Sequence, residues 1–319
     1  MHPMKFRDRM IHYRVVAAYT LVCVLCVFAF LLLPDGCGHD LAVRIDAYSP
    51  YAFWISLHRP IDDQVISKNI YENLRYESID EFQAICSLST VRCKDGFLFV
   101  EVGSAIGAVS LYAASRGMRV IAIDPLAPNV QRLKQSQCLN SCPISHSMRC
   151  ANFASDRFTV RSNLVGIRSD PVGRAVESEP RNLAATMRGG GEVRASNVSV
   201  VALDDILALQ PVELLLLTCQ GAEYDALLGA GLHLTSRLIR HVVWRRHYTG
   251  DVSGDVAKAK VIVNLLWARG FRFFYDLEDS RRAGALPRLM TSELEVLEYV
   301  VRARATGEHP NVLASLGDK

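Results

Sequence analysis

Residues 97–125 read FLFVEVGSAIGAVSLYAASRGMRVIAIDP, and no other stretch narrows the fold as far. An apolar run ends at Glu101, and a loop containing Gly103 and Gly107 follows. Helical spacing begins near Ile106, and a second apolar run ends at Asp124, 21 residues after Gly103. Strand, glycine turn, helix and strand in that order predict a βαβ unit with parallel strands. Glycines let the backbone turn tightly and approach a ligand without a Cβ. A helix N-terminus offers unpaired N–H groups, and an acid at the end of the second strand can accept ribose hydroxyls.

The spacing Glu-x-Gly-x-x-x-Gly departs from the dinucleotide fingerprint Gly-x-Gly-x-x-Gly, so a pyrophosphate is not the expected ligand. S-adenosylmethionine suits the loop better: it has a ribose and adenine for Asp124 and an aminoacyl tail for the turn, and no phosphate. Plain turn chemistry is the alternative reading of the same glycines.

The flanking pattern fits this unit. Short apolar runs at Phe97–Val102, Arg119–Ile123, Phe158–Ile167, Val212–Thr218, His241–Arg245 and Phe271–Tyr275 read as strands of a mostly parallel sheet. Between them Ile106–Arg116, Ala127–Leu139, Ala222–Gly229 and Val256–Arg269 read as helices, which places helices on both faces. Upstream, apolar residues from Val65 to Ile85 recur three and four apart, predicting a helix over 62–88. Residues 168–196 lack an apolar period and contain Gly189-Gly190-Gly191, so they read as an irregular insertion, disordered or a lid. Asp204 and Asp205 read as caps of a helix beginning at Ile206.

A second motif, LDDILALQPVELLLLTCQGAEYDALLGAG at 203–231, follows the same logic of buried strand, turn and short helix. Together with PLAPNVQRLKQSQCLN at 125–140, these segments resemble the FkbM family of S-adenosylmethionine-dependent methyltransferases over roughly residues 95–250. Members read hydrophobic-Asp-x-Gly-Ala-Asn-x-Gly, then Phe-Glu-Pro, then a helix ending Leu-x-x-Asn. Leu-Asp-Asp and Leu-Lys-Ile-Asp-x-Glu/Gln-Gly-Ala-Glu come next. The resemblance implies a Rossmann-like class I methyltransferase α/β domain with S-adenosylmethionine as cofactor. It maps Glu101, Gly103, Ser104, Gly107, Asp124 and Thr218 onto the cofactor site. Ala105 stands for the usual Asn and Asp124 for the usual Glu. Leu216 stands for Lys, Thr218 for Asp and Arg245 for Glu, so the acceptor chemistry of the family is not carried by the same groups.

At the other end of the chain, residues 15–33 (VVAAYTLVCVLCVFAFLLL) hold no Asp, Glu, Lys or Arg. As a helix this run measures about 28 Å, enough for a bilayer core of about 30 Å. The chain has 36 Lys and Arg against 33 Asp and Glu, and the whole excess of +3 lies in residues 1–14 (Lys5, Arg7, Arg9 and Arg14 against Asp8). Positive flank first, with Asp35 and Asp40 after, predicts a type II signal anchor with a cytosolic tail; a cleaved signal peptide is the alternative. The rest is electrically neutral, which gives no reason to expect nucleic acid.

That topology puts seven cysteines in a compartment that permits disulfides, with one or two bridges expected among Cys86, Cys93, Cys138, Cys142 and Cys150. Their spacing matches no zinc site, so no metal is expected. Asn197-Val198-Ser199 is a glycosylation acceptor under the same topology.

The expected organisation is a cytosolic tail (1–14), an anchor (15–33), a stem (34–60), a methyltransferase-like domain (61–305) and a tail (306–319). The expected protein is a single-pass membrane enzyme of the endoplasmic reticulum or Golgi, methylating a hydroxyl of a glycan or lipid-linked acceptor. Its general base is sought among His247, Glu223 and His241, and the acceptor is expected to touch residues 244–248. Arg237, Arg240, Arg245 and Arg246 read as a solvated basic cluster or an anion site. A membrane-anchored binding or scaffold module that keeps the fold without catalysis is the alternative.

Overall fold

The computed structural model describes residues 41–141, 158–161, 164–165, 200–219, 221–245, 252–277, 287–305 and 311–316, all within the unit Leu41–Lys319. The first half contains β1 (Ala42–Ile45), β2 (Phe53–Ser56), α1 (Ser67–Asn73), α2 (Glu77–Ser87), β3 (Leu98–Val102), α3 (Ala108–Ser115), β4 (Arg119–Ile123) and α4 (Ala127–Ser141). Then come β5 (Phe158–Arg161), β6 (Leu164–Val165), β7 (Val200–Val201), α5 (Leu203–Leu207), β8 (Val212–Leu217), α6 (Glu223–Leu228) and α7 (Gly231–Thr235). Last are β9 (Ile239–Arg245), α8 (Val252–Ala268), β10 (Phe271–Asp276), β11 (Arg288–Met290), α9 (Glu293–Ala305) and β12 (Asn311–Leu316).

The main sheet has the order β11-β10-β12-β9-β8-β3-β4-β5. From β5 to β9 all neighbours are parallel, and they run third, second, first, fourth, fifth in chain order, as in doubly wound nucleotide-binding domains. β12 then inserts antiparallel between β9 and β10, and β11 closes that edge antiparallel to β10. β3 and β4 are buried by layers on both sides, and VELLLL of β8 is buried at every position, which is why it reads as a continuous apolar run rather than an alternation.

Alternate residues sort onto two cores. Phe99, Ala122, Leu214, Leu216 and Val243 face the layer of α2, α3 and the β1–β2 hairpin, where Phe82, Tyr112, Ile45 and Phe53 pack. Val100, Ile123, Leu215, Leu217 and Val242 face the layer of α5 to α9. This is the Rossmann-like fold expected from the sequence.

Four expectations need correction. The single helix expected over 62–88 is two, because Leu74 turns left-handed at φ 50° and ends α1, and Tyr76 then runs extended. From Leu41 onward the expected stem is the β1–β2 hairpin, with Ile45, Phe53, Ile55 and Leu57 fully buried. The expected C-terminal tail from 306 contains β12, an interior strand that buries Val312, Leu313 and Ala314 between β9 and β10. The apolar run from Phe158 to Ile167 also divides, into β5 on the main sheet and β6, which pairs with β7. Among the described residues no helix is long and apolar enough to cross a membrane; the run 15–33, the insertion 168–196 and Asn197 lie outside them.

Cys86 and Cys93 form a disulfide, and Cys138 is disulfide-bonded as well, in line with the expected bridges. The Cys86–Cys93 bridge ties the end of α2 to the loop before β3. Replacing both cysteines by alanine is expected to lower unfolding free energy by about 2 kcal/mol, the chain-entropy value for so short a loop. Urea unfolding of the double variant against the parent, both without reductant, measures it.

Candidate functional site

In an open α/β sheet, ligands bind beyond the carboxyl ends of the strands where the winding reverses. Here that point lies between β3 and β8. Val102 and Gly103 leave β3 there, Thr218 leaves β8, and Asp124 ends β4 on the other side.

Gly103 has φ +83°, and a Cβ on it would lie 2.5 Å from the Thr218 carbonyl oxygen. Gly107 has φ +81°, and a Cβ there would meet Leu133 of α4 at 2.1 Å. Gly103 is therefore required by the backbone contact that closes the loop against β8, and Gly107 by its left-handed φ, with the end of the Leu133 side chain of α4 packed against it. Thr218 secures the same junction, its hydroxyl donating to Gly103 O at 2.8 Å and Val102 O at 3.1 Å.

Glu101 points to the hairpin side, where its carboxylate accepts from the Ser110 hydroxyl on α3. Burial pushes its pKa up to about 7, against the lowering effect of Ser110 and of the Arg245 charge. Asp124, only 5% exposed, accepts from Ala105 N (2.8 Å) on Oδ2, and from Leu126 N (2.9 Å) and Asn129 Nδ2 (3.1 Å) on Oδ1. Desolvation raises its pKa to about 6 despite those donors. A carboxylate has about four acceptor positions, so three are filled and one on Oδ2 is open among the described residues. Ser104, 3% exposed, has a buried hydroxyl with no hydrogen-bond partner among them. Such a group is costly unless something else satisfies it.

Glu223 lies just past the end of β8, both carboxylate oxygens accepting from Gly221 N at 2.9 and 3.1 Å. Cys219 beside it is a free thiol whose pKa desolvation, and then the Glu223 charge, raise well above the ordinary value, so it is held as the neutral thiol. The structure thus brings Gly103, Ser104, Asp124, Thr218 and Glu223 to one edge, with Glu101 and Gly107 supporting the loop from beneath.

Other expected residues fall elsewhere. His241 is paired with Leu214, near the amino ends of the strands, where Thr90 O and the Ser315 hydroxyl hold its ring and burial lowers its pKa to about 4. It is a core histidine and not a base at the ligand edge. Trp244 is buried in the second core edge-to-face with Phe274, so it cannot touch an acceptor. Asp204 caps α7 rather than its own helix, accepting from Leu232 N and His233 N, and α5 begins at Leu203 without a side-chain cap. The expected arginine cluster is dispersed: Arg240 pairs with Glu213 and Arg245 with Glu81. His247, Tyr248 and Arg246 lie outside the described residues. Among the described residues no His, Cys, Asp and Glu are grouped to hold a metal.

Sequence reasoning missed His58, Asn129, Ser78 and Glu81. His58 Nε2 lies 3.0 Å from Asn129 Oδ1, and Arg245 donates to Ser78 and Glu81. Asn129 carries a readable signal, a polar residue in the first turn of the helix after Asp124; the others are brought in by long-range packing.

A doubly wound sheet with a glycine loop and a buried acid at its switch point defines a domain of the Rossmann-like α/β class. The family model for the methyltransferase FkbM domain matches residues 101–273, and the chain belongs to that family of S-adenosylmethionine-dependent methyltransferases. No curated protein matches the chain. Similar solved structures include the METTL16 MTase domain (11% identity, 83% of this chain and 74% of that one, TM-score 0.40). Another is precorrin-6y C5,15-methyltransferase from Geobacter metallireducens GS-15 (8%, 82% and 93%, TM-score 0.37). A third is geranyl diphosphate methyltransferase in complex with GPP and sinefungin (12%, 77% and 80%, TM-score 0.36).

Two expected outcomes follow from this geometry. Ala105, where family members carry Asn, sits at φ 48°, a left-handed conformation that Asn and Gly tolerate and Ala does not. Ala105→Gly should therefore raise stability by about 1 kcal/mol in urea unfolding. The pKa of Glu101 is raised on folding, so the folded state holds a proton that the unfolded state releases, and stability falls as pH rises from about 4.5 to about 7. Glu101→Gln keeps an acceptor for Ser110 and removes this loss. Relative to the parent, it should gain on the order of 2 kcal/mol between pH 4.5 and pH 7.5. Thermal or urea unfolding at the two pH values reads it.

Proposed function

We propose that the chain binds S-adenosylmethionine at the carboxyl edge of β3, β4 and β8, and transfers its methyl group to a hydroxyl of a glycan or lipid-linked acceptor on the lumenal side of a membrane. The observation that carries the cofactor reading is the pairing, on one loop edge, of the Asp124 carboxylate with an acceptor position open among the described residues and the buried Ser104 hydroxyl, which has no partner among them. The first suits a ribose hydroxyl and the second suits the carboxylate of the aminoacyl tail. When bound, the cofactor supplies an electrophilic methyl on a sulfonium, which leaves as a neutral thioether.

The protein's share is orientation and proton removal. Holding two reactants in line supplies about 7–11 kcal/mol of the barrier, and Gly103, Thr218 and Asp124 fix one of them on the sheet edge. Removing the hydroxyl proton adds about 10²–10⁴-fold. Glu223 is the described candidate for that base, and His247 is the second. The two disulfides support the lumenal reading, since such bridges persist in oxidising compartments, and the apolar run 15–33 supports a type II anchor in the endoplasmic reticulum or Golgi.

One observation favours the scaffold reading. Leu216 is buried in the sheet and the Thr218 hydroxyl is spent on backbone carbonyls, so neither replaces the Lys and Asp of other members. Calorimetric titration of the full chain with S-adenosylmethionine separates the possibilities. Binding is expected, and Asp124→Ala should weaken it about tenfold or more, as loss of a hydrogen bond to a charged group does. No heat from folded protein would contradict the cofactor reading. Binding without methylation of any hydroxyl acceptor, unchanged in Glu223→Gln, would favour the scaffold.

A further inference from the structure

We infer that His58 and Asn129 are positioning residues for the Asp124 carboxylate, so that a strap upstream of the family-matched residues completes the cofactor site. This rests on the reading of Asp124 as the ribose ligand.

The strap begins at β2 and runs antiparallel along α4. Trp54 N donates to Asn140 Oδ1 (2.8 Å), and Asn140 Nδ2 donates back to Trp54 O (2.7 Å). Ser56 N donates to the Ser136 hydroxyl (2.8 Å), and His58 reaches Asn129 in the first turn of the helix. The strap's far end is clamped. His58 N donates to the Ser67 hydroxyl, which donates to Asp63, and Asp63 also accepts from the backbone N–H groups of Val65, Ile66 and Ser67. His58 is thus held from its backbone while its ring points at α4.

The direction of the hydrogen bonds is fixed by what each group can do. An ionised Asp124 can only accept, so the Asn129 amide must present Nδ2 to it and Oδ1 to His58. His58 Nε2 therefore carries the proton, in the neutral ring as in the charged one. The chain His58 to Asn129 to Asp124 Oδ1, with Leu126 N on the same oxygen, leaves the open position on Oδ2. Without it Oδ1 loses one of its two donors, and the carboxylate is held by the N–H groups of Ala105 and Leu126 alone. Family-matched residues begin at 101, so His58 is a contribution from outside them.

The test is calorimetric titration of the full chain with S-adenosylhomocysteine and with its 2′,3′-dideoxyribose analogue. Parent protein should prefer the hydroxylated ligand. Asn129→Leu should weaken that ligand about tenfold, the size of a hydrogen bond to a charged group, and His58→Phe about fivefold, the size of a bond between neutral groups, each leaving the analogue within about twofold. His58→Gln, whose amide can donate to the same oxygen, should restore most of the affinity. If Asn129→Leu does not fold, His58→Phe against His58→Gln carries the comparison. Preference retained in both variants, or equal weakening of both ligands, overturns the inference and leaves the ribose reading standing. Equal affinity of the parent for the two ligands overturns both.

Discussion

Everything at the ligand edge depends on how closely β3 and β8 approach where they part. Gly103 leaves no room for a side chain against the Thr218 carbonyl, and the Thr218 hydroxyl donates back across the same junction. The main-chain N–H groups of Gly103 and Ser104 both go to Ile123 O at the end of β4. Three strand ends are thereby locked together, and Ala105 N is delivered to Asp124. The loop is positioned largely by the backbone itself, and the acid by two backbone N–H groups together with the Asn129 amide.

Charge follows the same economy of geometry. Arg245 stands where family members carry a carboxylate, and the fold answers it from a distance with Glu81 of α2, while Glu101 lies within range of its charge. A buried charge left unpaired costs several kcal/mol, so the substitution requires a partner of the opposite sign. The helix that supplies it also roofs the first core through Ile79, Phe82 and Ile85. The hairpin, α1 and α2 are thus integral to the sheet's ligand side, joined to it by apolar packing, by the α4 strap and by this ion pair.

The parts of this arrangement legible in the sequence are those encoded locally. The run 97–125 carries its strands, turn and helix in adjacent residues, and β3, α3 and β4 appear where its apolar period changes. VELLLL, six residues between turn signals, is short enough to favour a buried strand over a helix. What escaped is nonlocal. β12 is six residues near the end of the chain, recognisable as a strand only through pairing with β9 and β10. The β1–β2 hairpin lies in a stretch rich in Pro, Gly, His and Tyr that reads as a stem until Phe53 and Ile55 meet α3 and α4. Asp204 lies in the first turn of α5 in sequence, and caps α7 in space. Family position alone points to Ser104 in the sequence; that its hydroxyl is buried with no partner among the described residues depends on the packed loop.

The central claim is that the edge of β3, β4 and β8 holds the nucleoside of the methyl donor. The most direct measurement is a crystal structure of the protein with S-adenosylhomocysteine. The account predicts a ribose hydroxyl on Asp124 Oδ2 and the aminoacyl carboxylate on the Ser104 hydroxyl. A ligand bound elsewhere, or an Asp124 that keeps its three donors and touches no hydroxyl, would contradict it.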